Sequence, residues 1–214
     1  MKKNLTIILA IALSFGVFAQ QNTWPSALGN VSFATDSTWT ISGNGIFQIW
    51  SDAVQTDYCS NKTEFSGWYR NIGLNIDCRS NPGFPGDLFS GQAVFDLRNE
   101  LCPYPWRVPF RNDFIRLDIA LGGDGSVRTR FHILPDTLRM VTDRYLNDWG
   151  GTLGGFVNSS GYLGNQGRYA YYWSFTANGP NEAFFLFLGM NGVVIPRDFH
   201  SRSYGFSLRC VRDN

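Results

Sequence analysis

Hydrophobic and polar positions alternate through the last residues of the chain. Residues 205–213 place three apolar side chains on one side of an extended backbone and three other side chains on the opposite side. A period of two is typical of a β-strand with one buried face. The apolar set is Phe206, Leu208 and Cys210, and the opposite set is Ser207, Arg209 and Val211.

Two earlier segments have helical spacing. Residues 112–121 carry Asp113 in the first turn and end at Gly122-Gly123, and residues 136–146 are more weakly periodic. Short β-like runs separated by glycine, proline and asparagine turns outnumber these helices. The sequence therefore predicts an α+β fold with a small, mainly antiparallel sheet, one or two helices and long glycine-rich loops. The first helix would bury Phe114, Leu117, Ala120 and Leu121.

One predicted strand lacks a polar face. Residues 184–188 are apolar at every position, three of them phenylalanine. A strand of this kind either buries both faces or exposes aromatic rings as a contact surface. Both alternatives stay open at the level of sequence.

The first residues resemble a secretory leader. Lys2 and Lys3 precede an apolar run, and small residues before Gln20 suit cleavage after residue 19. The run is short for a membrane span. We expect residues 1–19 to be a signal peptide, residues 20–100 to hold N-terminal strands and a disulfide loop of the same folded unit, and residues 101–214 to form the core.

Four cysteines in an exported chain favour two disulfide bonds. Three pairings are possible. We favour Cys59–Cys78, which closes a short loop, together with Cys102–Cys210, which ties the last strand to the middle of the chain. A zinc site is the competing interpretation, but there is no Cys-x-x-Cys pair and the chain has 2 histidines.

Charge excludes one class of partner. The chain has 18 basic and 17 acidic residues, and Lys2 and Lys3 leave with the leader, so the mature net charge stays near zero. It has no basic patch of the kind that holds nucleic-acid phosphates. Lys62 is the one lysine after the leader, so the cationic side chains are almost all arginine, which suits planar hydrogen bonding and stacking.

Several motifs resemble, in order and spacing, the Fibrobacter succinogenes major paralogous domain, a family of secreted bacterial proteins. The similarity covers roughly residues 30–213. The motifs are Cys102-Pro103-x-x-Trp106-Arg107-Val108-Pro109, Asp113-Phe114-x-x-Leu117, Leu121-Gly122-Gly123, Tyr172-Trp173-Ser174 and the closing run from Gly205 to Asp213.

The resemblance implies a fold related to C-type lectins and to formylglycine-generating enzymes, in which a long loop region forms the binding face. It carries over no established activity. This chain departs from the family at Phe110, because the family usually places Ser or Thr after Val-Pro, where a hydroxyl would cap the helix. Phe110 cannot cap, so we expect the helix to rely on Asp113 or water.

No catalytic residue, metal or cofactor is predicted. Ser174 has no nearby histidine or aspartate in sequence and no nucleophile elbow, and His132 and His200 lie in polar segments. A reactive thiol would require one cysteine to stay unpaired. Oxygen ligands for calcium could come from Asn147-Asp148, Asn178 and Asn181-Glu182, but the lectin motifs Glu-Pro-Asn and Trp-Asn-Asp are absent.

Residues 175–204 combine aromatic, arginine and asparagine side chains just before the closing strand. Asp, Phe, His, Ser and Tyr are residues reached when the adenines of an AAC codon are replaced, and lectin-fold proteins resembling this one are targets of diversity-generating retroelements. We take genetic diversification of this segment as a hypothesis. The expected ligand contacts are Tyr171, Phe175, Phe184, Phe199, His200, Arg202 and Tyr204.

The sequence thus favours a secreted or cell-surface module that binds a protein or glycan ligand. A structural surface or fimbrial subunit is the alternative, and an enzyme resembling the formylglycine-generating enzymes comes third. We expect a monomer with no nucleic-acid partner and no membrane span after leader cleavage.

Overall fold

The computed structural model describes residues 24–26, 29–33, 38–43, 46–60, 69–71, 76–126, 135–190 and 192–213. Strands dominate this part of the chain. The strands are β1 (Trp24–Ser26), β2 (Gly29–Phe33), β3 (Thr38–Gly43), β4 (Ile46–Thr56), β5 (Tyr69–Asn71), β6 (Ile76–Ser80), β7 (Asp87–Ser90), β8 (Phe156–Val157), β9 (Leu163–Gly164), β10 (Tyr169–Ala177), β11 (Glu182–Gly189), β12 (Val194–Ser201), β13 (Gly205–Phe206) and β14 (Arg209–Asp213). The helices are α1 (Asp57–Ser60), α2 (Gly91–Asp96), α3 (Arg98–Leu101), α4 (Arg111–Ala120) and α5 (Pro135–Asn147).

The described strands form three sheets. One has the order β1-β2-β4-β14 with β3 also paired to β4, one has the order β10-β11-β12, and one has the order β5-β6-β7-β13-β8-β9. The ladders between these strands are antiparallel, so the described part is a sheet-rich α+β structure. Because β4 pairs with β14 and β7 with β13, strands from residues 20–100 and 101–214 share sheets.

Two apolar cores lie on opposite faces of the β10-β11-β12 sheet. We call the first the disulfide core, since it contains all four cysteines. Its other buried members are Val54, Phe89, Val94, Leu101, Trp106, Val108, Trp173, Ala183, Phe185, Phe206 and Leu208. The second, the helix core, consists of Trp50, Phe114, Leu117, Leu121, Val141, Tyr145, Trp149, Ala170, Tyr172, Leu186, Leu188, Val194 and Val211.

The position of β11 decides whether the apolar strand buries both faces or exposes aromatic rings. β11 lies between β10 and β12, and consecutive residues face different cores, with Phe185 in the disulfide core and Leu186 in the helix core. Phe184 and Phe187 are half-buried. The strand therefore lacks a polar face because both of its faces are covered.

The closing segment confirms the predicted alternation but not its solvent face. Phe206, Leu208 and Cys210 enter the disulfide core, while the opposite side is also buried. Arg209 is 1 % exposed, donates to the carbonyls of Ser51 and Trp149, and lies 4.1 Å from the centre of a Trp149 ring. Burial lowers the Arg209 pKa to about 10. The prediction of one solvent-facing side was wrong because the helix core covers that side.

Both predicted disulfide bonds are present. Cys59 is bonded to Cys78 across 19 residues, and Cys102 is bonded to Cys210 across 108 residues. The second bond joins the residue that ends α3 to the closing strand β14. All four cysteines are buried, so the bonds are part of the disulfide core.

Both predicted helices are confirmed within one residue at each end, as α4 and α5. The N-cap of α4 is Phe110, whose ring accepts no hydrogen bond, and its backbone N–H instead donates to Asp113 Oδ2 at 2.7 Å. Asp113 also accepts two hydrogen bonds from Arg107, at 2.6 and 3.1 Å, and one from Gln48 at 2.9 Å. The cap expected from Asp113 is thus present.

Candidate ligand-binding surface

The seven predicted contact residues separate into two groups around the β10-β11-β12 sheet. Three are half-buried beside the disulfide core, near Phe206. Four lie around the end of β10, where the chain leading into α4 crosses its edge. The first group is Tyr171, His200 and Tyr204, and the second is Phe175, Phe184, Phe199 and Arg202.

Residues of the first group pack against the protein itself. The Tyr171 ring stacks on Phe206 with centroids 4.8 Å apart, and its hydroxyl accepts a hydrogen bond from Asn165 at 3.0 Å. Burial raises the pKa of this phenol. The ring centroids of His200 and Tyr204 lie 4.0 Å apart, and Tyr204 also packs on the disulfide core. These three side chains support the fold and offer only part of their surface.

Within the second group, Phe175 is positioned by two hydrogen bonds at the edge of β10. The Phe175 N–H donates to the Pro109 carbonyl at 2.7 Å, and the Arg111 N–H donates to Thr176 Oγ1 at 3.0 Å. These contacts hold the start of α4 against the strand. Phe110 and Phe175 are consequently neighbours, with ring centroids 6.1 Å apart.

A surface cleft of about 300 Å³ opens at this junction. Phe110, which is 46 % exposed, forms part of its wall, although it occupies a helix N-cap. Phe175 is only half-buried. Arg98 and Arg107 supply the positive charge of the cleft. The lining residues are Arg98, Asn99, Arg107, Val108, Phe110 and Phe175.

Guanidinium groups lie on phenyl rings throughout this region. The Cζ atoms lie 4.6 Å (Arg98 to Phe175), 5.3 Å (Arg107 to Phe110), 4.8 Å (Arg111 to Phe184) and 3.7 Å (Arg202 to Phe95) from the ring centroids. Ring contacts from Phe175 to Phe95 and from Phe184 to Phe199 extend the group. We call these nine residues the Arg–Phe band: Phe95, Arg98, Arg107, Phe110, Arg111, Phe175, Phe184, Phe199 and Arg202.

The four arginines of the band differ in their acidic neighbours. Burial alone would lower the pKa of Arg107, but hydrogen bonds and charges of Asp113 and Asp213 outweigh it and raise that pKa. Burial lowers the pKa of Arg202, and the charge of Asp96 opposes this shift.

The remaining two, Arg98 and Arg111, form no ion pair with any carboxylate in the described ranges. Their guanidinium groups are held on phenyl rings without a paired negative charge. The band therefore presents uncompensated positive charge beside exposed aromatic surface.

A second hollow, of about 370 Å³, adjoins the cleft and shares Arg98 and Asn99 with it. Its lining is more acidic, since it includes Asp96 and Glu100. The Asp96 carboxylate accepts a hydrogen bond from Gln92 at 2.9 Å. The charge of the surface thus changes sign across Arg98.

The candidates for catalysis and calcium are engaged elsewhere. The Ser174 hydroxyl donates to the Phe184 carbonyl at 2.8 Å, and His200 Nδ1 accepts the Ser201 N–H at 2.9 Å. The Asn178 amide donates to Glu182 at 3.0 Å. His132 lies outside the described residues. Within those residues, no cluster of three His, Cys, Asp or Glu side chains is arranged to hold a metal ion.

Sequence reasoning found four members of the band and missed five. The missed residues are Phe95, Arg98, Arg107, Phe110 and Arg111. They lie in the stretch from α2 to the start of α4, far before β10 in the sequence. The sequence offers one signal for this surface, because Phe110 is an apolar residue at a predicted helix N-cap, where such residues are unfavourable. The structure shows its ring in the wall of the cleft.

Comparison with protein families decides the classification. The model of the Fibrobacter succinogenes major domain matches residues 35–212. The chain belongs to this family. No curated protein and no solved structure matches it. The whole Arg–Phe band lies inside the matched Fibrobacter succinogenes major domain. In the described ranges, no helix is both long enough and apolar enough to cross a membrane.

Proposed function

We propose that this protein is a secreted or cell-surface module that binds a ligand through the Arg–Phe band. The observation that carries the proposal is the cleft beside Phe110, in which unpaired arginine charge adjoins exposed phenyl rings. Aromatic and arginine side chains dominate the energetics of binding interfaces. A monomeric protein has no structural need to leave an aromatic ring exposed at a helix N-cap.

The band is organised before any ligand arrives. Each cation–π contact contributes roughly 0.5–1 kcal/mol at an exposed site and restricts a long arginine side chain. Fixing such a side chain on binding would otherwise cost about 0.5–1.5 kcal/mol. Arg98 and Arg111 are already held against Phe175 and Phe184, so a ligand would meet guanidinium groups of defined orientation.

The size of the cleft suggests how a ligand would use it. About 300 Å³ is at the lower limit of small-molecule pockets. One side chain or one ring of a larger ligand would fill it, with further contacts along the band. A macromolecular ligand, whether protein or glycan, fits this geometry better than an isolated metabolite.

Export of the protein is supported by its disulfide bonds, and the Arg–Phe band has no bearing on it. Disulfide bonds form and persist in oxidising compartments, and both bonds are buried in the core. The leader-like residues 1–19 agree with this location. The family resemblance further suggests a C-type-lectin-like arrangement, with the binding face around β10 to β12, and diversification of residues near Phe199 and Arg202 remains part of the proposal.

Array screening tests this function. Mature protein would be applied to glycan arrays and to arrays of cell-surface proteins, after gel filtration. We expect a monomer that retains at least one ligand, and we expect Phe199→Ala to weaken that binding without loss of folding. Polymerisation without any ligand would instead favour the structural subunit. Turnover of a substrate by the mature protein would contradict the absence of catalysis.

A further inference from the structure

The hydrogen-bonding character of the cleft restricts its ligand. Guanidinium groups donate hydrogen bonds and accept none, and phenyl rings do neither in the ordinary sense. Of the described side chains that line the cleft, only Asn99 can also accept. A ligand that fits here must bring acceptors and apolar surface, and it gains little from donors.

The charges of the arginines restrict the chemistry of the ligand further. Arg98 and Arg111 have no carboxylate partner among the described residues, whereas Arg107 is satisfied by Asp113 and Asp213. Arginine presents paired N–H groups that match a carboxylate in a bidentate geometry. One face of each guanidinium group lies against a ring, and because the Arg111 Nε is buried, a carboxylate would engage the terminal N–H groups of that arginine.

We propose that the cleft, together with Arg111 and Phe199 of the surrounding band, binds an acidic segment of a partner protein, in which Asp or Glu side chains stand next to aromatic or aliphatic ones. This proposal rests on the proposed function of the band as a ligand-binding surface. The carboxylates would engage Arg98 and Arg111, and the apolar neighbours would cover Phe110 and Phe199, which are 46 % and 49 % exposed.

A glycan is the less favoured occupant of the cleft. Sugar hydroxyls both donate and accept, so they require acceptor side chains, and apart from Asn99 those lie in the adjoining hollow at Asp96 and Glu100. A glycan ligand would therefore depend on these two carboxylates. The acidic segment would depend on the two arginines instead, which makes the alternatives separable by mutation.

The test uses a displayed random-peptide library selected on the mature, disulfide-bonded protein. We expect enrichment of peptides that combine Asp or Glu with Phe, Tyr, Trp or Leu. An enriched peptide would be synthesised with its acidic residues intact and, as a matched probe, with each replaced by its amide. The amide version should bind on the order of tenfold more weakly, and salt should weaken only the acidic version.

Protein variants locate the contact. Arg98→Glu and Arg111→Glu should each raise the Kd of the acidic peptide about tenfold, a change of about 1.4 kcal/mol. Arg98 is exposed, and an acidic residue in the first turn of α4 is favourable for the helix, so both variants should fold. Arg168→Glu is the control. Arg168 is exposed and directly precedes β10, so it lies about 23 Å from Phe175 in the strand direction.

Three outcomes would overturn the inference: enrichment of basic or uncharged peptides, no enrichment, or equal binding by Arg168→Glu and the two band variants. A glycan ligand that is lost in Asp96→Asn or Glu100→Gln and is also weakened by Phe199→Ala would overturn it as well, while the proposed function of the band would stand. The proposed function itself fails if ligands are found and none depends on any residue of the band.

Discussion

The Asp113 carboxylate accepts the backbone N–H of Phe110 at 2.7 Å, three residues before it and at the N-cap of α4. The same carboxylate is only 4 % exposed and is paired with Arg107. One side chain thus both caps the helix and joins it to the chain that precedes it. We expect Asp113→Ala to lower the free energy of unfolding by about 2–3 kcal/mol, because it leaves Arg107 with only the exposed Asp213 as acidic partner among the described residues and leaves a helix end uncapped.

Urea denaturation of Asp113→Ala measures this loss. Asp148→Ala is a suitable control, since Asp148 pairs with Arg144 on an exposed surface and should cost less than about 1 kcal/mol. Equal losses for the two variants would contradict the role assigned to Asp113.

Removal of the two disulfide bonds should have unequal effects. In the chain-entropy model, the Cys102–Cys210 bond, with a separation of 108 residues, stabilises by about 4.7 kcal/mol, and the Cys59–Cys78 bond, with a separation of 19, by about 3 kcal/mol. All four cysteines are buried, so Cys→Ala pairs leave comparable packing defects. We expect the Cys102→Ala/Cys210→Ala pair to melt at the lower temperature in calorimetry. A lower melting temperature for the Cys59→Ala/Cys78→Ala pair would reject this ranking.

Alkaline pH should destabilise the protein through Tyr172. Burial raises the Tyr172 pKa above its ordinary value of 10.0, and its hydroxyl donates to the Thr152 carbonyl at 3.0 Å. The folded state therefore holds this proton more tightly than the unfolded state, so the associated stability is present below pH 10 and is lost as the pH rises through the folded pKa. Tyr172→Phe should lose less stability than the wild type over this range.

Arg209 acts in the opposite direction in the same range. Burial lowers its pKa to about 10, below its ordinary value, so between the folded and the ordinary pKa the unfolded state binds more protons and stability rises with pH. The charges of Tyr172 and Arg209 also shift each other's pKa, so the difference between the denaturation curves of wild type and Tyr172→Phe reports the two groups as a pair. Identical pH dependence of the two proteins would show that Tyr172 does not titrate as described.

Two aromatic residues that sequence reasoning treated alike should respond differently to truncation. Phe199 is 49 % exposed, whereas Tyr204 packs on His200, Phe156 and the disulfide core. Phe199→Ala should change the free energy of unfolding by less than about 0.5 kcal/mol, and Tyr204→Ala should lower it by about 1–3 kcal/mol. Thermal denaturation followed by near-UV circular dichroism distinguishes them, and a larger loss for Phe199→Ala would contradict the structure.

Local features of the fold were predictable because they depend on short-range patterns. The spacing of Phe114, Leu117 and Leu121, together with Gly122-Gly123, indicated α4, and the structure buries those three side chains in the helix core. The two disulfide bonds followed from the spacing of the four cysteines, together with the expectation of export. The solvent face assigned to Arg209 was wrong, because the sequence of one strand does not reveal what packs on its far side.

The candidate site was less predictable because it is assembled from distant segments. Arg98 and Phe175 meet only because α3 and the Pro109 segment both lie beside β10. No local periodicity carries that information. The four band residues predicted from sequence lie on β10, β11, β12 and the turn after β12, where composition alone is unusual: Phe175, Phe184, Phe199 and Arg202.

Phe110→Ser tests most directly whether the band binds the ligand. Serine supplies a side-chain hydroxyl that can cap the helix, and this cap should contribute about 1 kcal/mol. Loss of the Phe110–Phe175 ring contact should cost about 0.5–1.5 kcal/mol, so the two effects nearly cancel. Tyr162→Ser is the matched control, since Tyr162 is 65 % exposed and is not part of the band.

The measurement is the affinity of Phe110→Ser for each ligand found by array or peptide selection, alongside its melting temperature. We expect a melting temperature close to that of the wild type and a Kd raised about tenfold, while Tyr162→Ser binds normally. Unchanged affinity of a correctly folded Phe110→Ser protein for every such ligand would contradict the assignment of the Arg–Phe band as the binding surface.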